Sequence, residues 1–117
     1  MTTIKVVKKE IEADNENWLI PFLNFVDDFR RDKNLSAVRH PFELTNEKID
    51  ALLASTIEYL GNELHLEIPE WTESVPPCKE PWFVAGVENI KAIAVVESPV
   101  FFRRRKIFVL ENFLVRV

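Results

Sequence analysis

Few side chains in this 117-residue sequence carry reactive chemistry, and their spacing does not assemble a reaction centre. His40 and His65 have no metal-ligand spacing to each other or to Cys78, the single cysteine. In Glu63-Leu64-His65-Leu66-Glu67 a carboxylate lies two residues to each side of a histidine. Two ligands on one helical face need a one-turn spacing instead. His65 fits better at the C-terminal end of a helix, where the dipole favours a cation. Lys79 beside Cys78 would favour a thiolate. A nucleophile also needs a positioned base and an oxyanion site, and neither is evident. Asp28 and Asp32 share a helical face, but an Asp27–Arg31 pair beside them makes this a salt-bridged, solvated helix end. The sequence therefore predicts no catalytic residues, no metal and no cofactor. A small enzyme using Cys78, His40 or His65 stands as a remote alternative.

The densest chemical feature is the run Arg103-Arg104-Arg105-Lys106. Guanidinium groups take phosphates or carboxylates in bidentate fashion, so the run could be an anion or partner site. On a helix the four side chains fan out by about 100° each. One or two could then pair with the body of the protein while the others face water, and the two readings weigh equally. Residues 103–117 carry four arginines and one lysine against one glutamate, a net +4 in a chain of net −4, so the remainder carries −8. Such an acidic body with a basic tail argues against nucleic acid as the main partner, because that affinity comes from many phosphate contacts. Trp71, Trp82, Phe83, Phe101, Phe102, Phe108 and Phe113 flank the run. Aromatics beside arginine are the composition of interface hot spots. Most of the seven should pack the core, leaving Trp82 and Phe83 as candidate hydrophobic anchors.

The elements that must position these residues are mainly helical. Trp18, Phe22, Phe25, Val26 and Phe29 recur at three and four, which predicts a helix ending near Asn34, with Asn15 or Asn17 as cap and Pro21 in its first turn. A second stripe runs through Ile49, Leu52, Leu53, Thr56, Ile57, Leu60 and Leu64 after a Thr45 or Asn46 cap, and Gly61 is where that helix could end or kink. Residues 67–86, with Pro69, Pro76, Pro77 and Pro81, read as an irregular connector pinned by its aromatics. Val87 to Glu97 is apolar almost all round, which predicts a fully buried helix or strand. Ser98-Pro99 reads as a helix start, with Ser98 as cap and Pro99 at the first position, the helix running to about Arg105. Ile107–Val109 reads as a brief strand or extended segment, and 110–117 as a last helical turn or two with Phe113 and Leu114 inward. Residues 1–13 read as an edge strand or a flexible arm.

The whole is a mostly α, single small helical domain over residues 1–117, with a Pro/Trp-rich connector and short β-strands as an option. Two glycines exclude a glycine-rich phosphate loop. The charged N-terminus does not resemble a signal peptide, no apolar run is long enough to span a membrane, and one cysteine forms no internal disulfide. These features fit a cytoplasmic protein.

Several short motifs occur in a fixed order: Ala51-Leu52-Leu53-Ala54 with Glu58-Tyr59-Leu60, Pro69-Glu70-Trp71, Glu80-Pro81-Trp82-Phe83, and Glu97-Ser98-Pro99 with Phe102-Arg103-Arg104-Arg105 and Ile107-Phe108-Val109. Over residues 46–117 this resembles a group of small uncharacterised bacterial proteins, some of which carry the module behind a helix-turn-helix domain. The resemblance implies a toxin–antitoxin style of partnership with a nucleotidyltransferase-like protein, and no activity. Residues 1–45 lack a helix-turn-helix, so DNA binding does not follow. The expected role is a non-enzymatic interaction module whose partner is another protein or a second copy of the chain. Its contact residues would be Arg103, Arg104, Arg105, Lys106, Trp82 and Phe83. An accessory nucleic-acid binder using the same basic run is the alternative.

Overall fold

The computed structural model describes residues 2–84 and 90–115. The protein is 58% helical, with five α-helices and one two-stranded sheet among the described residues.

The first helix, α1, spans Ile4–Ala13 and is capped by Thr3, whose hydroxyl accepts the Val6 N–H at 3.4 Å. This corrects the reading of residues 1–13 as an edge strand or arm. The β-branched residues Ile4, Val6 and Val7 look strand-like locally, but Ile4, Val7, Lys8 and Ile11 are spaced three and four apart. On a helix they form one face, and all four are buried. Tertiary burial decides the conformation where local propensity is ambiguous.

Helix α2 spans Leu19–Asp32 and buries Phe22, Phe25, Val26 and Phe29, the stripe its spacing predicts. Its start differs. Trp18 occupies the cap position without a side-chain cap bond, while Asn17 bonds through its backbone and side-chain N–H groups to Asp14. The helix stops at Lys33, which takes the left-handed conformation and returns its N–H to Phe29 O at 2.8 Å. A 3-10 turn at Leu35–Val38 follows, capped by Asn34.

Helix α3, Glu47–Leu64, is the central element. Asn46 caps it by accepting the Ile49 N–H, and the Asp50 carboxylate accepts the Asn46 N–H in return. Every residue from Ile49 to Glu58 is buried, so neighbours enclose this helix on all sides. Gly61 does not end it. The helix continues to Leu64, and His65 turns the chain back in the left-handed conformation with φ 57°. The returning strand of chain brings Ile68 onto Gly61, where a β-carbon would collide with Ile68 Cγ2. Glycine is required there by close approach rather than by φ.

The connector contains a 3-10 turn, Glu70–Ser74, and strand β1, Trp82–Phe83. Trp71 pins it, edge-on to Phe42 at 5.2 Å and donating its indole N–H to Val38 O at 2.8 Å. Helix α4, Lys91–Glu97, and helix α5, Val100–Arg103, then lead to β2, Ile107–Phe108. Strands β1 and β2 run parallel, with Trp82 opposite Ile107 and Phe83 opposite Phe108. The predicted burial of Val87–Glu97 is corrected for the part described, residues 87–89 lying outside it. Of α4 only Ala94 is buried, while Ile93, Val95 and Val96 are exposed. Ser98 does not cap α5. Pro99 holds the cap position, and the Ser98 hydroxyl instead accepts the Val109 N–H at 2.8 Å while lying against Ala94 O. After β2 the chain forms two tight turns. Leu114 is buried and Phe113 stacks on Phe22 at 5.6 Å.

Gly61→Ala should destabilise the protein by about 1–3 kcal/mol through overpacking. Paired with Ile68→Ala it should cost less than the two single changes together, as read by urea unfolding. His65→Gly should raise stability by about 0.5–1 kcal/mol, because glycine takes the left-handed cap without a β-carbon clash. A lowered urea midpoint for His65→Gly would contradict the cap assignment.

Candidate functional site

The basic run sits where α5 gives way to β2. Arg104 N–H bonds to Val100 O at 3.0 Å and Lys106 N–H to Arg103 O at 2.9 Å, so helical curvature persists through the run. Lys106 then turns the chain into β2 with φ 63°. This curvature separates the four side chains. Arg103 is exposed. Lys106 is exposed and donates to Lys79 O at 3.2 Å.

Arg105 points the other way and is only 4% exposed. Its guanidinium forks onto Glu58, Nη1 to Oε1 and Nη2 to Oε2. Nη1 also donates to Ser55 Oγ at 3.2 Å, Nη2 to Thr72 O at 2.7 Å and Nε to Val75 O at 3.2 Å. These bonds use all five donors of the group, so none is left for an external anion. Arg104, its side chain 52% exposed, reaches the same Glu58 Oε1 at 2.7 Å and lies over the Phe101 ring at 5.6 Å. Burial alone would raise the Glu58 carboxyl. Hydrogen bonds and charge from Arg105 and Arg104 outweigh it and hold the group below its ordinary value.

Trp82 and Phe83 are partly buried on β1. Trp82 lies 6.4 Å from Trp18, with Lys48 Nζ 5.6 Å above its ring. Phe83 stacks on its cross-strand neighbour Phe108 at 5.0 Å, with Lys91 Nζ over it at 5.2 Å. Both rings are engaged in packing the sheet.

The remaining candidates lie apart. Among the described residues no three of His, Cys, Asp and Glu converge to hold a metal ion. Cys78 is buried, and its thiol is pushed up by burial and by the nearby Glu47 carboxylate, which disfavours a nucleophilic thiolate. His40 and His65 are exposed. Arg31 pairs with Asp28 at 3.2 Å and with Asp32 at 3.0 Å, a solvated cluster at the end of α2. It borders a cleft of about 630 Å³ with Phe25, Phe29 and Leu35. Neither that cleft nor the smaller ones beside Lys5 and Lys9, Pro77 and Arg104, or Arg39 and Pro69 include His40, His65 or Cys78.

Two features escape the sequence reading. One is a second buried ion pair. Lys8 Nζ lies 2.8 Å from Asp50 Oδ1, off the hydrogen-bonding direction, and donates to Thr45 Oγ1 at 2.8 Å and to Glu43 O. Its signal was present, since Lys8 falls inside the Ile4-Val7-Ile11 stripe. The other is an apolar surface. Val96 is 79% exposed, Val100 54%, Ile93 50% and Val95 41%. Ile93 and Val96 are three apart on α4, and Val100 shares its helical face with Arg103 and Arg104. The exposed apolar residues thus fall on two short helices, Ile93, Val95 and Val96 on α4 and Val100 on α5, separated by the extended Ser98–Pro99 step. The unbroken apolar run Ala92–Val96 reads as core, so the sequence hides its exposure.

Arg105→Ala should cost about 3–5 kcal/mol, because it strands the buried Glu58 carboxylate, whereas Arg103→Ala should stay within about 0.5 kcal/mol. Replacing both Glu58 and Arg105 by methionine should cost less than Arg105→Ala alone. The depressed Glu58 carboxyl contributes stability that is present above its ordinary pKa and lost as pH falls through its lower folded value. Glu58→Gln should flatten that acid limb in urea melts collected over acidic pH; an unchanged limb would show that Glu58 does not carry it. No family model matches the chain, and no significant match to a curated protein or a solved structure is found.

Proposed function

We propose that the protein is a non-enzymatic interaction module that docks another protein through α4 and Val100. The observation that carries this reading is the run of exposed apolar residues Ile93, Val95, Val96 and Val100, closer together in the chain than the other exposed apolar residues described, Val6, Leu19, Ile20, Leu44 and Val115. Exposed apolar side chains gathered in one short stretch of chain are a common mark of a protein docking site. The site chemistry supports the same reading. Among the described residues, none of the four clefts above is lined by His40, His65 or Cys78, and burial holds the Cys78 thiol above its ordinary value. Nucleic acid is less favoured, because Arg105 is fully occupied and Arg104 is shared with Glu58, which leaves few groups for phosphates. Among the described residues no helix is long and apolar enough to cross a membrane. A single unpaired thiol suits a reducing compartment such as the cytoplasm. The resemblance of residues 46–117 points to the kind of partner, a toxin-like or nucleotidyltransferase-like protein held in antitoxin fashion.

The test compares wild type with Ile93→Asp/Val96→Asp, after circular dichroism and melting show equal folding. Tagged protein is isolated gently from its native host, and any co-purifying protein is then remade and mixed back as a pure component. Wild type should form a complex of fixed stoichiometry that the double variant does not form. A monomer that binds nothing, or a complex indifferent to the double variant, refutes the reading. Binding to DNA or RNA at low salt that Arg103→Ala abolishes and Val96→Asp leaves intact would replace it with a nucleic-acid role.

A further inference from the structure

We infer that the cleft beside Arg104 binds a monocarboxylate carrying a short apolar chain. The inference goes beyond docking through α4, because no residue of α4 lines this cleft. Its lining is Glu73, Val75, Pro77, Arg104 and Arg105, around an open volume of about 290 Å³. The two arginines that meet at Glu58 therefore border one space.

What Arg104 can still offer follows from its bonds. A guanidinium carries five N–H donors, and two of its edges present a pair of them side by side. Arg104 uses one donor, from Nη2 to Glu58 Oε1 at 2.7 Å. Whichever hydrogen of Nη2 makes that bond, the other stays paired with a hydrogen on Nε or on Nη1. One complete two-donor edge of the fork therefore remains. Arg104 also lies over the Phe101 ring at 5.6 Å, and Phe101 is met edge-on by Tyr59 of α3 at 6.4 Å. The guanidinium is thus held by an ion pair and a ring before any ligand arrives, which lowers the ordering cost of binding.

Charge selects the ligand. Glu58 brings one negative charge to two guanidinium groups, and Arg105 has no donor left. One positive charge stays unneutralised by Glu58, which a single carboxylate matches in charge and in the spacing of its two oxygens. A phosphate dianion would keep half its charge uncompensated. It would also face Glu73, an exposed carboxylate on the same cleft with no ion pair described. Val75 and Pro77 add apolar wall, which favours an acid with a few methylenes over acetate.

The probe is pentanoate, compared with acetate, uncharged pentanamide and inorganic phosphate, each titrated into isotope-labelled protein and followed through the amide NMR signals of Val75 and Arg104. Pentanoate should shift both along a saturating curve in the low-millimolar range, the affinity of one bidentate contact and a short chain. It should bind about fivefold more tightly than acetate, since each buried methylene adds to the affinity. Pentanamide should shift neither signal. Arg104→Lys keeps the charge without the fork and should weaken pentanoate about fivefold or more. Glu73→Gln, at an exposed position, should tighten it about twofold by removing a like charge. The tripeptide Ala-Ala-Val and its C-terminal amide distinguish the source: tighter binding of the free tripeptide than of pentanoate would support the carboxylate as the end of a peptide, and the reverse would support a free acid. Phosphate binding as tightly as pentanoate, equal shifts with pentanamide, or no saturation by about 50 mM, well above the expected range, would overturn the inference. Indifference to Arg104→Lys, or to Glu73→Gln, would overturn it as well. The amide comparison and Glu73→Gln test the site even where Arg104→Lys lowers stability.

Discussion

The fork between Arg105 and Glu58 constrains most of what surrounds it. A charged pair removed from water is stable only when geometry is good and every remaining donor finds an acceptor. Here the acceptors come from separate parts of the chain: Glu58 and Ser55 from α3, Thr72 and Val75 from the connector. The guanidinium therefore fixes the connector and the C-terminal segment against the central helix at once. The Cys78 N–H to Arg105 O bond and the parallel ladder continue that attachment into β1 and β2. Phe102, fully buried and meeting Phe113 edge-on, supplies the apolar counterpart one turn earlier.

A second buried pair works at the other end of the same helix. Lys8 of α1 meets Asp50 in the first turn of α3, whose carboxylate also returns a bond to the Asn46 cap. Central helix α3 thus presents one buried acid to the N-terminal helix and one to the C-terminal segment, two turns apart, the first answered by Lys8 and the second by Arg105 with Arg104 beside it. Apolar surfaces alone would allow α1 to slide or rotate along α3. A cation that must meet one carboxylate removes that freedom. Residues that look expendable by charge are thereby tied to the register of the fold.

How much of this was legible in the sequence depends on whether the signal was local. The stripes of α2 and α3 were, because Phe22, Phe25 and Phe29, or Leu52, Leu53 and Ile57, reveal their faces by spacing alone. A cap at Thr45 or Asn46 and the packing of Trp71 were also read from residue type, and the structure selects Asn46. Helix α1 was not, since ten residues with several β-branched side chains take a helical form through their contacts with other elements. For α4 the failure ran the other way. Its residues are as apolar as a core, and only the third dimension shows that nothing described lies over Ile93 and Val96. Within the basic run, the sequence predicts that the side chains diverge but cannot say which one turns inward. That choice rests on where Lys106 takes its left-handed turn and on the distant Glu58. Buried Lys8 was visible in principle as a charged residue inside an apolar stripe.

Parallel pairing of β1 with β2 has a further consequence for how the surface on α4 can change. Two parallel neighbours need a crossover between them, and here that crossover holds α4. Its base is closed by the ladder, where Val84 N–H meets Phe108 O at 3.2 Å, and by Ser98 bonding Val109. Only Ala94 of α4 enters the buried interior. The exposed helix is an excursion clamped at its root, so substitutions at Ile93, Val95 or Val96 exchange one solvent-facing side chain for another without touching the packing of α3. The chemical character of that surface is therefore set independently of the fold that carries it.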